Sequence, residues 1–162
     1  TERIVRLLRA RRLGDLGPAG DGCSNLVHVD DVVAAATAVL QRGADGAFNL
    51  AMAGAPSWNV YFMRLARAMG AVPVRRMTAR RLKLEGKVLA PPLKILEIAG
   101  GKAGLRGLPP VISPALLRLW QQDIRLDVRR AEQVLGMQWT TLEAGLAESL
   151  ASRSGQSEEA RN

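Results

Sequence analysis

The chain has 162 residues, 48% of them hydrophobic and 23% charged, which suffices for one water-soluble domain with a sizeable core. Its single cysteine, Cys23, excludes an intramolecular disulfide and fits the reducing cytoplasm, where we expect the protein to be. No apolar run approaches the roughly 18 residues that a membrane-spanning helix requires. The net charge of +8 permits an anionic partner, but only 4% of the residues are aromatic and no zinc-ligand set occurs, which argues against nucleic acid.

The first part of the chain predicts a helix, a loop and then a strand that leads into a second helix. Apolar residues between arginines indicate an amphipathic helix over residues 1–13, followed by a loop with glycine and proline. Leu26–Val29 is a short apolar run that favours a buried strand. Asp30 or Asp31 is then expected to cap an Ala- and Val-rich helix that ends at Gly43.

A second strand and helix follow in the same order. Gly46–Ala51 is the strand candidate, with Phe48 and Leu50 on one face. Ser57 is expected to cap a helix whose apolar residues recur at helical spacing until Gly70. Together with the preceding pair, this predicts a strand–helix–strand–helix unit.

The middle of the chain predicts helices separated by loops. Thr78 is expected to cap a helix that continues to about Leu89, and a further helical pattern covers residues 93–98 before a Gly/Pro-rich loop. Ser113, which is followed by proline, indicates the start of a helix over Ala115–Gln121.

The end of the chain predicts two more helices and a tail. Asp127 is expected to cap a helix over Val128–Leu135, with Gly136 at its end. A capping-box pattern then begins a last amphipathic helix. We therefore expect one domain over residues 1–151 and a polar, disordered tail over residues 152–162.

Short sequence patterns occur in the order that one enzyme superfamily shows. They are Val29-Asp30-Asp31 before an Ala-rich helix, Gly46-Ala47-Phe48-Asn49-Leu50, Leu65-Ala66-Arg67-Ala68-Met69-Gly70, and Asp127-Val128-Arg129-Arg130-Ala131 with Leu135-Gly136. With these patterns the chain resembles the C-terminal half of an extended short-chain dehydrogenase/reductase, of the NAD-dependent epimerase/dehydratase superfamily. The resemblance implies the C-terminal part of a Rossmann-type α/β fold, made mainly of helices with a few short strands. It also implies that this part of the enzyme binds the substrate.

The superfamily's cofactor-binding and catalytic motifs do not occur in this sequence. Neither Gly-rich stretch, 14–17 or 100–104, follows a predicted strand, so neither matches the dinucleotide-binding turn. The Tyr-x-x-x-Lys motif is missing because Tyr61 is the only tyrosine and Leu65 stands four residues later. We therefore expect no catalytic or cofactor-binding residue here: a nucleotide-binding half upstream of Thr1 would hold NAD or NADP, and the chain alone would be inactive.

Ser24 and Asn25 are the first candidates for substrate contacts. Nucleotide-sugar members of the superfamily carry Arg-Asp at this point, and their Arg grips the diphosphate. The resemblance therefore favours a less charged ketone or secondary alcohol, which is sterol-, flavonol- or sugar-like. A basic anchor could instead come from Arg75, the third candidate, or from Arg76 or Arg125.

His28 and Trp58 complete the candidates for substrate contacts. The resemblance places His28 on the substrate side of the sheet, although a strand histidine is more often structural. Trp58 could line an apolar substrate pocket or belong to the core. No cluster of Asp, Glu, His and Cys stands at ligand spacing, so we expect no metal site.

Two other function classes stay open at this point. A stand-alone, non-catalytic domain of the same descent would present its basic surface to a protein or anionic partner. Peripheral membrane contact could come from the basic, partly apolar run 83–102. A nucleic-acid binder would instead show strongly salt-dependent affinity for DNA or RNA. The sequence does not decide the substrate, the choice between NAD and NADP, or whether the chain forms a homodimer.

Overall fold

The computed structural model describes residues 2–84 and 112–159, and the regular structure of this part is helical. An isolated parallel bridge joins Asp15 to Arg76, but the described residues form no sheet. The expected Rossmann-type α/β fold is therefore wrong for the part of the chain that the structure describes.

The two predicted strands explain this difference. The backbone N–H of Met52 donates to the carbonyl oxygen of Leu26 at 2.7 Å, so the two segments contact each other. A strand, however, requires a continuing ladder of such bonds with its neighbour. Val29 lies in a helix and is 66% exposed, so the run that it ends is not a buried strand.

The described helices are numbered here in chain order. They are α1 (Glu2–Arg9), α2 (Val29–Arg42), α3 (Trp58–Ala68), α4 (Ala79–Leu84), α5 (Pro114–Gln121), α6 (Arg129–Leu135) and α7 (Leu142–Glu159), with a 3₁₀ helix at Gly17–Gly20. Helix α7 continues past the end expected near residue 151. The predicted helix end at Leu89 and the patterns over 93–98 and 100–110 lie outside the described residues.

Local capping signals are mostly confirmed. The hydroxyl of Ser57 accepts from the backbone N–H of Val60 in α3, and Ser113 caps α5 in the same way. Gly43 and Gly136 end α2 and α6 in the left-handed conformation, with φ of 60° and 67°. These interactions involve residues close in sequence, so their signals are readable without the tertiary fold.

Two expected caps are wrong. Helix α6 begins at Arg129 and its N-cap is Val128 rather than Asp127, although the carboxylate of Asp127 accepts from the N–H of Arg129 at 3.1 Å. Helix α2 begins at Val29, earlier than predicted, and its N-cap is His28, whose side chain makes no capping hydrogen bond. Asp30 and Asp31 lie inside the first turn instead, where a carboxylate still meets the positive end of the helix dipole.

The chain consists of two compact units, each built from two segments. Unit 1 comprises Thr1–Gly22 and Ser57–Asp123, and unit 2 comprises Cys23–Pro56 and Ile124–Asn162. Unit 1 therefore holds α1, α3, α4, α5 and the 3₁₀ helix, whereas unit 2 holds α2, α6 and α7.

Aromatic side chains of α3 and α5 form one part of the core of unit 1. Phe62 and Trp120 are buried, and their rings meet edge to face at a centroid distance of 5.0 Å. Trp58 and Tyr61 pack beside Phe62 at 5.8 Å each. Helix α1 packs on α3, and its buried residues include Leu7. This cluster fixes α3, which in turn holds the loop around the 3₁₀ helix.

The core of unit 2 lies between α2 and α6. Ala35 of α2 and Ala131 and Leu135 of α6 are buried together. Phe48 and Leu50 both pack against this cluster, so the prediction that they share one face is confirmed. Small residues at the contact allow the two helices to approach closely.

Candidate functional site

Unit 1 contains an open cavity of about 470 Å³, within the usual range for small-molecule sites. The loop 16–19, residues 76–78, Leu82 of α4 and Gln121 of α5 line it. Most of this lining is apolar, and the four consecutive residues of the loop 16–19 form one wall of the cavity.

A buried amide holds that loop in place. The Oδ1 atom of Asn59 accepts from the N–H of Leu16 at 2.8 Å, and its Nδ2 group donates to the carbonyl of Gly17 and the carboxylate of Asp21, both at 2.8 Å. Asn59 is only 7% exposed, and these bonds use three of its four hydrogen-bonding capacities. Gly20 must be a glycine, because a Cβ there would lie 2.3 Å from Oδ1 of Asn59.

Residues 76–78, which also line the cavity, overlap with a short backbone pairing between Asp15 and residues 75–77. The N–H of Asp15 donates to the carbonyl of Arg75 at 3.1 Å, and the N–H of Met77 donates to the carbonyl of Asp15 at 2.7 Å. Gly14 permits this approach, since a Cβ there would lie 2.1 Å from the carbonyl oxygen of Arg75. The backbone pairing therefore fixes residues 76–78 relative to the loop.

The polar groups of the lining can bind a ligand but cannot transfer a proton. Arg76, Thr78 and Gln121 supply them, and among the described residues no Asp, Glu, His, Cys, Lys or Tyr belongs to this lining. A guanidinium stays protonated at ordinary pH, and neither a hydroxyl nor an amide is an effective general base there. Within the part of the chain described, the cavity is therefore a candidate binding site whose lining holds no acid–base group.

Unit 2 brings His28 between two carboxylates. Its Nδ1 atom lies 3.6 Å from Oδ2 of Asp30, and its Nε2 atom lies 3.7 Å from Oε2 of Glu148 on α7. The imidazole packs against Gly145, where a Cβ would lie 3.1 Å from its Cδ2. A protonated imidazole would pair with both carboxylates and hold α7 to the start of α2.

The same three side chains are the one group of potential metal ligands within the described residues. One donor atom of each lies within 4.8 Å of the others. The side chain of His28 is 13% exposed, but those of Asp30 and Glu148 are 66% and 56% exposed. Exposed carboxylates often lie near a histidine without a metal, and the two ring nitrogens here face different carboxylates, so the three side chains form a polar cluster at the start of α2.

The candidates Ser24 and Asn25 lie in unit 2 and bind backbone groups there. The hydroxyl and the N–H of Ser24 both donate to the carbonyl of Pro56, at 2.6 Å and 3.0 Å. Asn25 has a φ of 42°, its Nδ2 group donates to the carbonyl of Ile124, and its Oδ1 atom accepts from the N–H of Leu126 at 3.2 Å. Both side chains thus join loops, and a substrate contact at either residue stays a prediction.

The candidates Trp58 and Arg75 lie in unit 1. Trp58 is 8% exposed and belongs to the aromatic core. Arg75 is exposed, and its carbonyl takes part in the bridge to Asp15. Neither residue lines the cavity, whereas the neighbouring Arg76 does. Their contact with a substrate stays a prediction.

Sequence reasoning named Arg76 only as an alternative anchor and gave the loop 16–19 no functional role. The loop was recognisable as irregular from its glycines and proline. Its association with Met77 depends on the backbone pairing of Asp15 with residues 75–77, and its attachment to α3 depends on Asn59, which is 43 residues away in sequence from Leu16. No local pattern signals such a contact.

Comparison of the chain with protein-family models, with curated proteins and with solved structures finds no match in any of the three. In the described part of the chain, no helix combines the length and the apolarity needed to cross a membrane. The assignment of a function therefore depends on the residue patterns and on the geometry of the two units.

Proposed function

We propose that this chain is the substrate-binding part of an NAD(P)-dependent oxidoreductase or epimerase that acts on a ketone or secondary alcohol. The hydride transfer and the proton transfer would use a nucleotide-binding part that this chain does not supply. The order of the residue patterns along the chain supports this proposal, which does not include a Rossmann sheet in the described residues.

The observation that carries the proposal is the cavity of unit 1. It has the volume and the apolar lining of a small-molecule site, and Asn59 holds one of its walls through three hydrogen bonds. The described residues of its lining hold no general acid or base, which is consistent with a part that binds the substrate while another part performs the chemistry.

Exposed apolar side chains in unit 2 favour a chain that packs against another protein part over a chain that functions as a stand-alone domain. Val29, Val33, Ala36 and Leu40 follow one another at helical spacing on α2 and are all exposed, Leu40 at 83%. Val27, Ile124 and Leu126 of the same unit are also exposed. An apolar stripe of this kind usually marks an interaction surface. A nucleotide-binding part is the partner that the proposed function requires.

Calorimetric titration of the full chain tests this proposal. We expect 2-octanone and 2-octanol to bind saturably, and NAD and NADP to show no saturable binding in the micromolar range. Ala19→Phe adds a ring to the cavity wall and should abolish binding of the ketone and the alcohol. Ala10→Phe adds the same ring at an exposed position outside the lining and is the matched control.

Two results would contradict the proposal. The first is failure of both the ketone and the alcohol to bind, or equal binding to the Ala19→Phe and wild-type chains. The second is micromolar NAD binding or turnover by the chain alone, because the required groups would then lie within it. Circular dichroism of both phenylalanine variants controls for loss of the fold.

A further inference from the structure

The charge around the cavity of unit 1 indicates the kind of ligand that the cavity takes. Arg76 is the charged residue of the lining, and Thr78 and Gln121 are neutral and polar. The carboxylate of Asp15 stands outside the lining, with Oδ2 3.9 Å from Nε of Arg76, which is too far for a hydrogen bond. Among the described residues, the lining therefore presents one positive charge and no negative one.

The orientation of the guanidinium leaves donors for a ligand. Its Nε side faces Asp15, whose Oδ1 atom accepts from the N–H of Gly17 at 2.8 Å. The guanidinium lies over Gly17, since a Cβ there would be 3.5 Å from Nη2 of Arg76. The side chain of Arg76 is 74% exposed. Its two Nη groups, which form a fork that matches a carboxylate, can therefore reach an incoming anion.

The surrounding unit is strongly basic. Its described residues include 13 Lys and Arg against 4 Asp and Glu. The basic residues are Arg3, Arg6, Arg9, Arg11, Arg12, Arg64, Arg67, Arg75, Arg76, Arg80, Arg81, Lys83 and Arg118, and the acidic ones are Glu2, Asp15, Asp21 and Asp123. In unit 2 the balance is reversed. The positive potential of unit 1 raises the local concentration of small anions near its cavity.

We propose that the cavity binds an organic anion, with the apolar body of the ligand inside and its carboxylate on the Nη groups of Arg76. This inference rests on the proposed function and specifies its substrate as a ketone or secondary alcohol that carries a carboxylate. The hydroxyl of Thr78 assists, because its oxygen accepts from the N–H of Arg81 at 3.3 Å and its proton stays available for the ligand.

Titration of the full chain with two ligands of equal shape tests the inference. The probes are 5-oxooctanoate and its neutral amide, 5-oxooctanamide. We expect the carboxylate to bind about twofold to tenfold more tightly, because solvent screens the pair that it forms with a largely exposed guanidinium. Arg76→Gln should remove this preference. Arg76→Lys should keep only part of it, because an ammonium group retains the charge but not the planar fork.

Arg80→Gln is the matched control. It removes the same charge from an exposed residue of the same unit that lies outside the lining, and it should keep the preference for the carboxylate. Equal losses in Arg80→Gln and Arg76→Gln would overturn the inference in favour of a general effect of net charge. Equal binding of the two probes to the wild-type chain would overturn it as well.

The same titrations separate this inference from the proposed function. If the amide binds and Ala19→Phe abolishes its binding, but the carboxylate has no advantage, the anion inference fails and the proposed function survives. If neither the two probes nor 2-octanone binds, both proposals fail. Because Arg76 is largely exposed, Arg76→Gln is expected to fold, and circular dichroism checks this.

Discussion

The carboxylate of Asp31 accepts two hydrogen bonds from Thr140, one from the backbone N–H at 3.0 Å and one from the hydroxyl at 2.7 Å. The two residues are 109 positions apart in sequence, and Asp31 is only 6% exposed. The pair therefore joins the first turn of α2 to the segment that precedes α7. Asp30, one residue earlier, is exposed and has no such role.

Asp31→Ala is expected to lower the free energy of unfolding by about 1–3 kcal/mol, because it leaves the half-buried N–H and hydroxyl of Thr140 without their acceptor. Urea unfolding followed by circular dichroism measures the change. Asp30→Ala removes the same group from an exposed position, where it meets only the helix dipole and His28, and should cost less than about 1 kcal/mol. Equal effects of the two substitutions would show that the bonds to Thr140 contribute little.

Asn59 gives a second stability prediction, this time for unit 1. Asn59→Leu keeps the approximate volume but leaves the N–H of Leu16 and the carbonyl of Gly17 without their partner, so we expect a loss of about 2–4 kcal/mol. Asn59→Asp should also destabilise unit 1, since its second oxygen would face the carbonyl of Gly17 and the carboxylate of Asp21.

Urea unfolding of the two Asn59 variants checks this prediction, with Met63→Ala as the control. Met63 lies on the same helix but is 42% exposed, and its truncation should cost less than about 1 kcal/mol. If Asn59→Asp unfolded at the urea concentration of the wild-type chain, Nδ2 would not be a necessary donor. The variants should also weaken ligand binding, because Asn59 holds a wall of the cavity.

The features predicted correctly from the sequence are those that neighbouring residues determine. The serine caps of α3 and α5 and the glycine ends of α2 and α6 involve residues within one or two turns. The shared face of Phe48 and Leu50 follows from alternation in an extended segment. In each case the interacting residues are close together in the sequence, so the pattern can be recognised without the tertiary fold.

The features that sequence reasoning missed depend on distant partners. Leu26–Val29 has the composition of a strand, but a strand also needs neighbours that complete its ladder, and the sequence alone does not supply them. Likewise, Asp31 is of a residue type that often caps a helix, yet its carboxylate accepts two hydrogen bonds from Thr140 instead. The cavity was missed for the same reason, since Asn59 connects its wall to α3 over a long sequence separation.

The last prediction concerns the titration of Asp127, just before α6. The side chain of Arg129 donates to both of its oxygens, with a shortest distance of 2.6 Å, and the N–H of Arg129 donates to Oδ1 at 3.1 Å. The side-chain bonds are the larger cause that lowers the pKa of Asp127 from 3.8 to about 2. The stabilisation from this pair is therefore present above about pH 4 and is lost as the pH falls through 2.

Arg129→Gln is expected to raise the pKa of Asp127 only part of the way back toward 3.8, because the backbone N–H of residue 129 still donates to the carboxylate. Carbon-detected NMR titration of the aspartate carboxyl groups measures this value. Arg130→Gln is the matched control, since Arg130 binds the carbonyl of Asp45 and lies over the ring of Phe48, not beside Asp127. A pKa near 2 in Arg129→Gln would instead assign the shift to the backbone N–H, and a shift in both variants would assign it to net charge.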